Sequence, residues 1–135
     1  MTFHLDALIL LHRVWGAFGV LTGGALGVLA IGTDVALIET GSVGRAERAA
    51  VWVLAACAAV MMAGALGSLA AAHGLRRRLP AGRVAALVLA VPNLVIVPFG
   101  TALGIYTFWV LLNDDARREF GRPPRGSTPP VAPAR

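Results

Sequence analysis

The sequence contains no lysine, one cysteine and one tyrosine, and charged residues make up only 14% of its 135 positions. Each shortage removes a class of chemistry. Without lysine there is no glycine-rich phosphate loop, which needs that ammonium beside its glycines. A single cysteine, Cys57, set among alanines, supports neither a disulfide framework nor a thiolate metal site. Ahead of the last fifteen residues the only serines are Ser42 and Ser68. Neither has a histidine and an acid at the spacing of a nucleophile's partners. Asp114 and Asp115 are neighbours followed by Arg117 and Arg118, which reads as a solvated charged face. No catalytic residue, metal site or cofactor is expected, and the chain is not read as an enzyme. Acids are also missing from the three longest uncharged stretches, 14–33, 49–72 and 84–112. That counts against a proton- or cation-coupled carrier, which normally places an acid inside a span.

What the chain does have is apolar surface and arginine. Hydrophobic residues make up 57%, and mean hydropathy is +0.74. A soluble domain carries about 25% charged residues, so this composition predicts a protein built for lipid, with the bilayer as a partner. All 12 basic residues are arginine and the formal charge is +5. In a soluble protein that balance would suggest nucleic acid. Here the arginines flank apolar stretches, where positive-inside bias accounts for them, and no nucleic-acid partner is expected. The length suits one domain. Residues 1–120 read as a single transmembrane helical domain, and 121–135, with five prolines and no apolar stripe, as a disordered or extended tail.

Val14–Thr33 is a run of 20 uncharged residues, long enough to span. The start lacks a basic n-region and the apolar run is too long for a signal peptide. Residues 3–12 either continue this helix outward or lie along the surface. Arg13 and Trp15 suit the membrane interface, the arginine snorkelling and the indole at headgroup depth. Gly19, Gly23 and Gly27 recur every fourth residue and predict a flat, zipper-like face on which another backbone packs closely. Residues 34–48 read as a polar connection turning at Gly41, Ser42 and Gly44. A second helix, over about 46–73 with Trp52 at its first interface, repeats small residues at Ala55, Ala59, Ala63, Gly67 and Ala71. Two flat faces on consecutive helices predict a tight hairpin.

Residues 73–83, HGLRRRLPAGR, hold four arginines, Arg76, Arg77 and Arg78 among them, and no acid. Positive-inside bias places this loop in the cytoplasm, and the N-terminus with it. Val84–Leu112 then runs 29 residues without a charge. As one helix it would be about 44 Å long, too long for one span of a ~30 Å hydrocarbon core and short for two. Pro92-Asn93 and Pro98-Phe99-Gly100 interrupt it, and Arg117, Arg118, Arg122 and Arg125 follow. If the stretch turns back, those arginines join the other basic loop. The expectation is therefore two short crossings, 81–97 and 98–113, with bilayer thinning and a helical extension into water to about Phe120. Pro98 should open the fourth helix, and Gly100 and Gly104 should face a neighbour closely. Trp109 should approach the cytoplasmic interface, and Asp114 or Asp115 should reach Arg13. The predicted fold class is an all-α polytopic membrane bundle of four spans in a bacterial inner membrane, with N and C termini cytoplasmic.

The run PFGTALGIYTFWVLL, preceded by LRRRLPAGRVAALVLAVPN, resembles a loosely defined set of small bacterial multi-span membrane proteins. They share a Pro-x-Gly-Thr-Ala-Leu-Gly-x-Tyr-x-x-Trp-Val-Leu run near the C-terminus, after a short basic loop. The match covers Leu75 to Asp114. The resemblance implies a shared form for this segment and lends no activity.

Two further chemistries are open to these residues. Asn93, Pro98 and Thr101 mark a helix break, where freed carbonyls can bind ions in a pore or where the polar side chains simply satisfy the backbone. His12 and His73 fall near the same ends of adjacent helices and are the candidates for axial haem ligands. The sequence points first to a non-catalytic membrane protein acting through helix–helix association, as a homo-oligomer or an accessory subunit of a membrane complex. The alternative is a small homo-oligomeric channel or transporter; haem binding is more remote.

Overall fold

The computed structural model describes residues 2–41 and 44–121, Thr2 by its backbone alone. Ser42 of the expected turn, and the expected tail from Arg122 onward, lie outside the described residues. Within them the chain is all-helical: α1 Thr2–Thr40, α2 Arg45–Arg76, α3 Pro80–Asn93, α4 Phe99–Leu112 and α5 Asp114–Glu119.

α1 is longer than its apolar run. It continues through Asp34 and Glu39 to Thr40, which corrects the longer polar loop expected over 34–48. The reason is local: DVALIET contains no helix breaker, and the punctuation begins only at Gly41, whose φ of +66° closes the helix. The result is a 39-residue helix, about 58 Å long. α2 likewise begins at Arg45 and extends to Arg76.

α2 ends in a Schellman turn. The Leu79 N–H donates to the Gly74 carbonyl at 3.0 Å and the Arg78 N–H to the Leu75 carbonyl at 3.0 Å. The left-handed position that this turn needs is held by Arg78 (φ +53°) where glycine is usual. Pro80 follows at the start of α3, where its missing N–H is no loss.

The helices pair as successive hairpins. Gly16 lies against Leu69, Gly19 against Ala65, and Gly23 against Met62 and Ala58, so α1 and α2 are antiparallel. Gly74 meets Gly82 and Gly67 meets Leu89, which sets α3 antiparallel to α2. Gly104 meets the Ala90 carbonyl and Gly100 the Asn93 carbonyl, so α4 turns back along α3. Pro92 sits in the last turn of α3, and Pro98 stands one residue ahead of α4 as its N-cap, with Phe99 the first helical residue. Asn113 (ψ 144°) breaks the chain between α4 and α5, and its side chain caps α5 by accepting from the Asp115 N–H at 3.2 Å. The helix expected to run on unbroken to Phe120 is therefore two helices.

α3 and α4 have 14 residues each, about 21 Å. Their turn reaches only the level of Trp15, Phe18, Met61 and Gly64, where Asn93 and Ile96 line a cleft with those residues. α1 and α2 continue past it as a two-helix arm. The core sits at the other end, where four helices meet: Leu5, Leu8, Ile9, Ala71, Ala72, Leu75, Ala86, Leu103, Val110, Leu111 and Phe120.

Candidate functional site: helix faces, the broken hairpin and the basic end

The α1–α2 seam is built from small residues that leave no room for a side chain. A Cβ on Gly16 would lie 2.7 Å from Leu69 Cγ, and one on Gly19 would lie 2.9 Å from Ala65 Cβ. On Gly23 it would meet backbone, Met62 N at 3.2 Å and the Ala58 oxygen at 3.3 Å. Gly27 is looser, 4.0 Å from Ala58 Cβ. Four residues turn a helix by about 400°, so a repeat of four drifts roughly 40° per step and leaves the seam. Gly16 restores the spacing of three that the every-fourth pattern omits.

The same drift divides the repeat on α2. Ala59 and Ala63 point outward and are exposed. Gly67 faces α3, where a Cβ would stand 3.2 Å from Leu89 Cδ2, and Ala71 is fully buried in the core cluster that also holds Ala86. The outward face continues as Trp52, Ala56, Ala59, Ala63, Leu66 and Ala70, all exposed, at alternating spacings of four and three, the spacing of a helix–helix seam.

Gly100 and Gly104 carry the α3–α4 contact. A Cβ on Gly100 would stand 2.7 Å from the Asn93 oxygen, and one on Gly104 2.9 Å from the Ala90 oxygen. At the break, the Thr101 hydroxyl donates to the Leu94 carbonyl at 2.8 Å. Asn93 is buried and its Oδ1 accepts from the Trp15 indole N–H at 3.3 Å. Pro98 follows a cis Val97–Pro98 bond. Of these, the Trp15–Asn93 bond joins the hairpin turn to α1.

Sequence reasoning passed over Arg83. It is buried, and its guanidinium donates to the Leu111 carbonyl through Nε at 3.2 Å and Nη2 at 2.8 Å. A cation on the last carbonyls of α4 complements both the unpaired acceptors and the helix dipole there. The signal was available: Arg83 stands inside the first turn of an apolar helix, one position after a glycine, where an unpartnered arginine would be costly.

The remaining arginines and aromatics spread over the same end. Arg76 and Arg77 are exposed, and Arg78 Nη1 pairs with Glu119 Oε2 at 2.8 Å. Arg117 and Arg118 lie 3.9 and 3.8 Å from Asp114 and Asp115 one turn back. Trp109 is half-exposed, 5.2 Å from the His4 ring and stacked on Tyr106, whose hydroxyl is 3.2 Å from His4 Nδ1. Trp52 is exposed at the far end of α2. Arg13 is exposed. Its neighbour Trp15 reaches Asn93, so Arg13 lies beside the hairpin's turn and not beside Asp114, which follows the opposite end of α4. The expected Arg13–Asp114 pairing is thus corrected: α1 extends eleven residues before Arg13, and α4 ends alongside those.

The two histidines are placed differently. His12 is fully buried, with Nδ1 3.2 Å from the Leu8 carbonyl and Nε2 without a partner among the described residues. His73 is exposed. Among the described residues no three His, Cys, Asp or Glu side chains group as a metal site. No family model, curated protein or solved structure matches the chain.

Proposed function

We propose that this is an integral membrane protein of the bacterial inner membrane that works by associating with other helices, without catalysis. Two helices are long and apolar enough to cross a membrane. What separates them from core helices of a soluble protein is exposure: of the most apolar eighteen-residue stretch, only 22% is buried in α1 and 11% in α2. Leu21, Val28, Ile31, Val35, Ile38, Val53 and Val60 all face outward on the two-helix arm, a surface that needs lipid.

In this reading α1 and α2 cross the bilayer, and the turn between them lies outside. Arg76, Arg77, Arg78, Arg117 and Arg118 gather at one end, which positive-inside bias makes cytoplasmic, together with both termini. Four full crossings would require α3 and α4, at about 21 Å each, to meet a core of ~30 Å. Their turn sits beside Met61 and Gly64, with the rest of α2 back to Arg45 still beyond it. The hairpin therefore enters and leaves by the cytoplasmic side. The turn's side chains Val95, Val97 and Phe99 are exposed and apolar, and non-helical backbone at that depth is tolerated where its polar groups find protein partners. The Val95 and Ile96 N–H groups donate to the Pro92 and Asn93 carbonyls, and the Thr101 N–H and hydroxyl to the Ile96 and Leu94 carbonyls. The small bacterial multi-span proteins that share the PFGTALGIYTFWVLL pattern are proposed to share this hairpin.

The observation that carries the functional reading is the outward face of α2. Ala56, Ala59, Ala63 and Ala70, with the larger Trp52 and Leu66 on the same spacing, are exposed on the side of α2 turned away from the α1 seam. In lipid, such a face lets another helix approach closely, and a second copy is its simplest occupant. Single cysteines at Ala59 or Ala63, in a Cys57→Ala background, should form disulfide-linked dimers in membranes, while Ala25→Cys on α1 should not. Ala63→Leu should shift the assembled form to monomer in detergent. An unchanged monomeric mass for parent and variant, with no crosslinking and no co-purifying subunit, would overturn the reading.

A further inference from the structure

Toward the end of the two-helix arm the α1–α2 seam opens. It is tight at Gly16, Gly19 and Gly23, and at Gly27 the nearest atom of α2 is already 4.0 Å from where a Cβ would stand. Beyond Ala30, which is still buried, the facing positions carry larger side chains, and a cleft of about 390 Å³ lies between the helices. Leu37, Ile38, Val51 and Ala55 give it an apolar lining. Trp52, 70% exposed, and two opposite charges, Asp34 on α1 and Arg48 on α2, complete it. Both charged residues are exposed, and neither makes a hydrogen bond or an ion pair among the described residues. Gly23 faces Ala58 and Met62, and eleven residues on, antiparallel counting brings Asp34 level with residues 47–51 of α2, the turn that holds Arg48. Asp34 ends the uncharged stretch 14–33, and Arg48 stands immediately before the uncharged stretch 49–72. With α1 and α2 crossing the bilayer, both charges therefore stand where the outer headgroups begin, the depth that suits the Trp52 indole.

An unpaired anion and an unpaired cation on facing helices, at headgroup depth and beside apolar walls, complement a molecule that carries both charges and an aliphatic part. We propose that this cleft binds a zwitterionic phospholipid with a primary-amine head, its phosphate on Arg48, its ammonium on Asp34, and an acyl chain passing Val51 and Ala55 into the bilayer. The arginine fork offers paired N–H donors to phosphate oxygens. The carboxylate only accepts hydrogen bonds, and a primary ammonium brings three donors to it, whereas a choline head brings none. A purely anionic head fits less well, because Asp34, Glu39 and Glu47 outnumber Arg45 and Arg48 at this end of the arm. Binding there would tie α1 to α2 where their own seam has let go. The proposal rests on the membrane reading above.

The test is titration of the purified full chain in detergent with palmitoyl-oleoyl-phosphatidylethanolamine and with the matching phosphatidylcholine and phosphatidylglycerol, read by native mass spectrometry. Phosphatidylethanolamine should bind about threefold to fivefold more tightly than phosphatidylcholine, the range that an exposed ion pair supplies. Asp34→Asn should remove that preference and leave phosphatidylcholine binding unchanged. Arg48→Gln should weaken both lipids about threefold and keep their ratio. Glu39→Gln, outside the cleft, should change neither. Equal affinity for phosphatidylethanolamine and phosphatidylcholine would overturn the proposal, as would tighter binding of phosphatidylglycerol. Equal losses in the Asp34 and Glu39 variants would also overturn it, since they would mean general surface charge. Soluble phosphoethanolamine binding as tightly as the lipid would overturn the acyl-chain half. Failure of the membrane reading shows itself earlier and separately, as a chain that fractionates without detergent.

Discussion

At the scale of single residues, the fold rests on positions where a methyl group would be too much. Gly74 and Gly82 are the clearest, since a Cβ on Gly74 would stand 2.6 Å from the Gly82 Cα. On Gly23 a Cβ would be 3.2 Å from the Met62 nitrogen and 3.3 Å from the Ala58 oxygen, which leaves no space for a larger side chain. Gly23→Leu is expected to cost about 1–3 kcal/mol by overpacking. Leu29→Ala, on an exposed position of the same helix, should stay within about 0.5 kcal/mol. Thermal unfolding in detergent reads both, and equal small losses would mean the glycine seam contributes little. Arg78 poses the opposite case. Its left-handed backbone costs a residue with a Cβ roughly 1–2 kcal/mol, while its pair with Glu119, half-exposed on the arginine side, returns only about 0.2–1 kcal/mol. Arg78→Gly should therefore keep or raise the melting temperature, and Arg78→Val should lower it. A fall in the glycine variant would assign the turn's stability to the ion pair.

At the scale of elements, the α3–α4 hairpin is held at both ends by polar contacts that cross between helices. Arg83 grips the Leu111 carbonyl where the hairpin begins, and Trp15 grips Asn93 where it turns. Arg83→Met keeps the volume and apolar stem but leaves buried acceptors without their cation. A charged hydrogen bond of this kind contributes about 1.5–3 kcal/mol, so amide exchange across 103–112 should accelerate markedly, while α1 and α2 beyond the hairpin should exchange as before. Uniform acceleration throughout would contradict a local clamp. Helix type and the two long apolar helices were legible in the sequence, because composition and uninterrupted runs determine them. The partners of each face were not. A spacing of four names residues that start on one face and finish on another, so Ala59 and Ala63 separate from Gly67 and Ala71. Gly74 and Gly82 gave no pattern at all, being one residue from each of two helices. The ends of α1 were equally hidden, since charge at Arg13 and Asp34 suggests a boundary to hydropathy but does not interrupt a helix.

At the scale of the whole molecule, the asymmetry between the two ends organises everything else. One end has all five helices, a hydrophobic core and six arginines; the other is a bare pair, α1 and α2, with apolar side chains outward. The central claim is that this pair crosses the membrane and the α3–α4 hairpin does not. Single cysteines at Gly41, Val95 and Gly121, in a Cys57→Ala background, can be labelled in spheroplasts with a membrane-impermeant maleimide. Gly41→Cys should label from outside, Gly121→Cys only after the membrane is permeabilised, and Val95→Cys, at the hairpin turn, only after the protein is denatured. Outside labelling of Val95→Cys would mean that α3 and α4 cross completely, and outside labelling of Gly121→Cys would reverse the orientation of the chain's end and contradict the account.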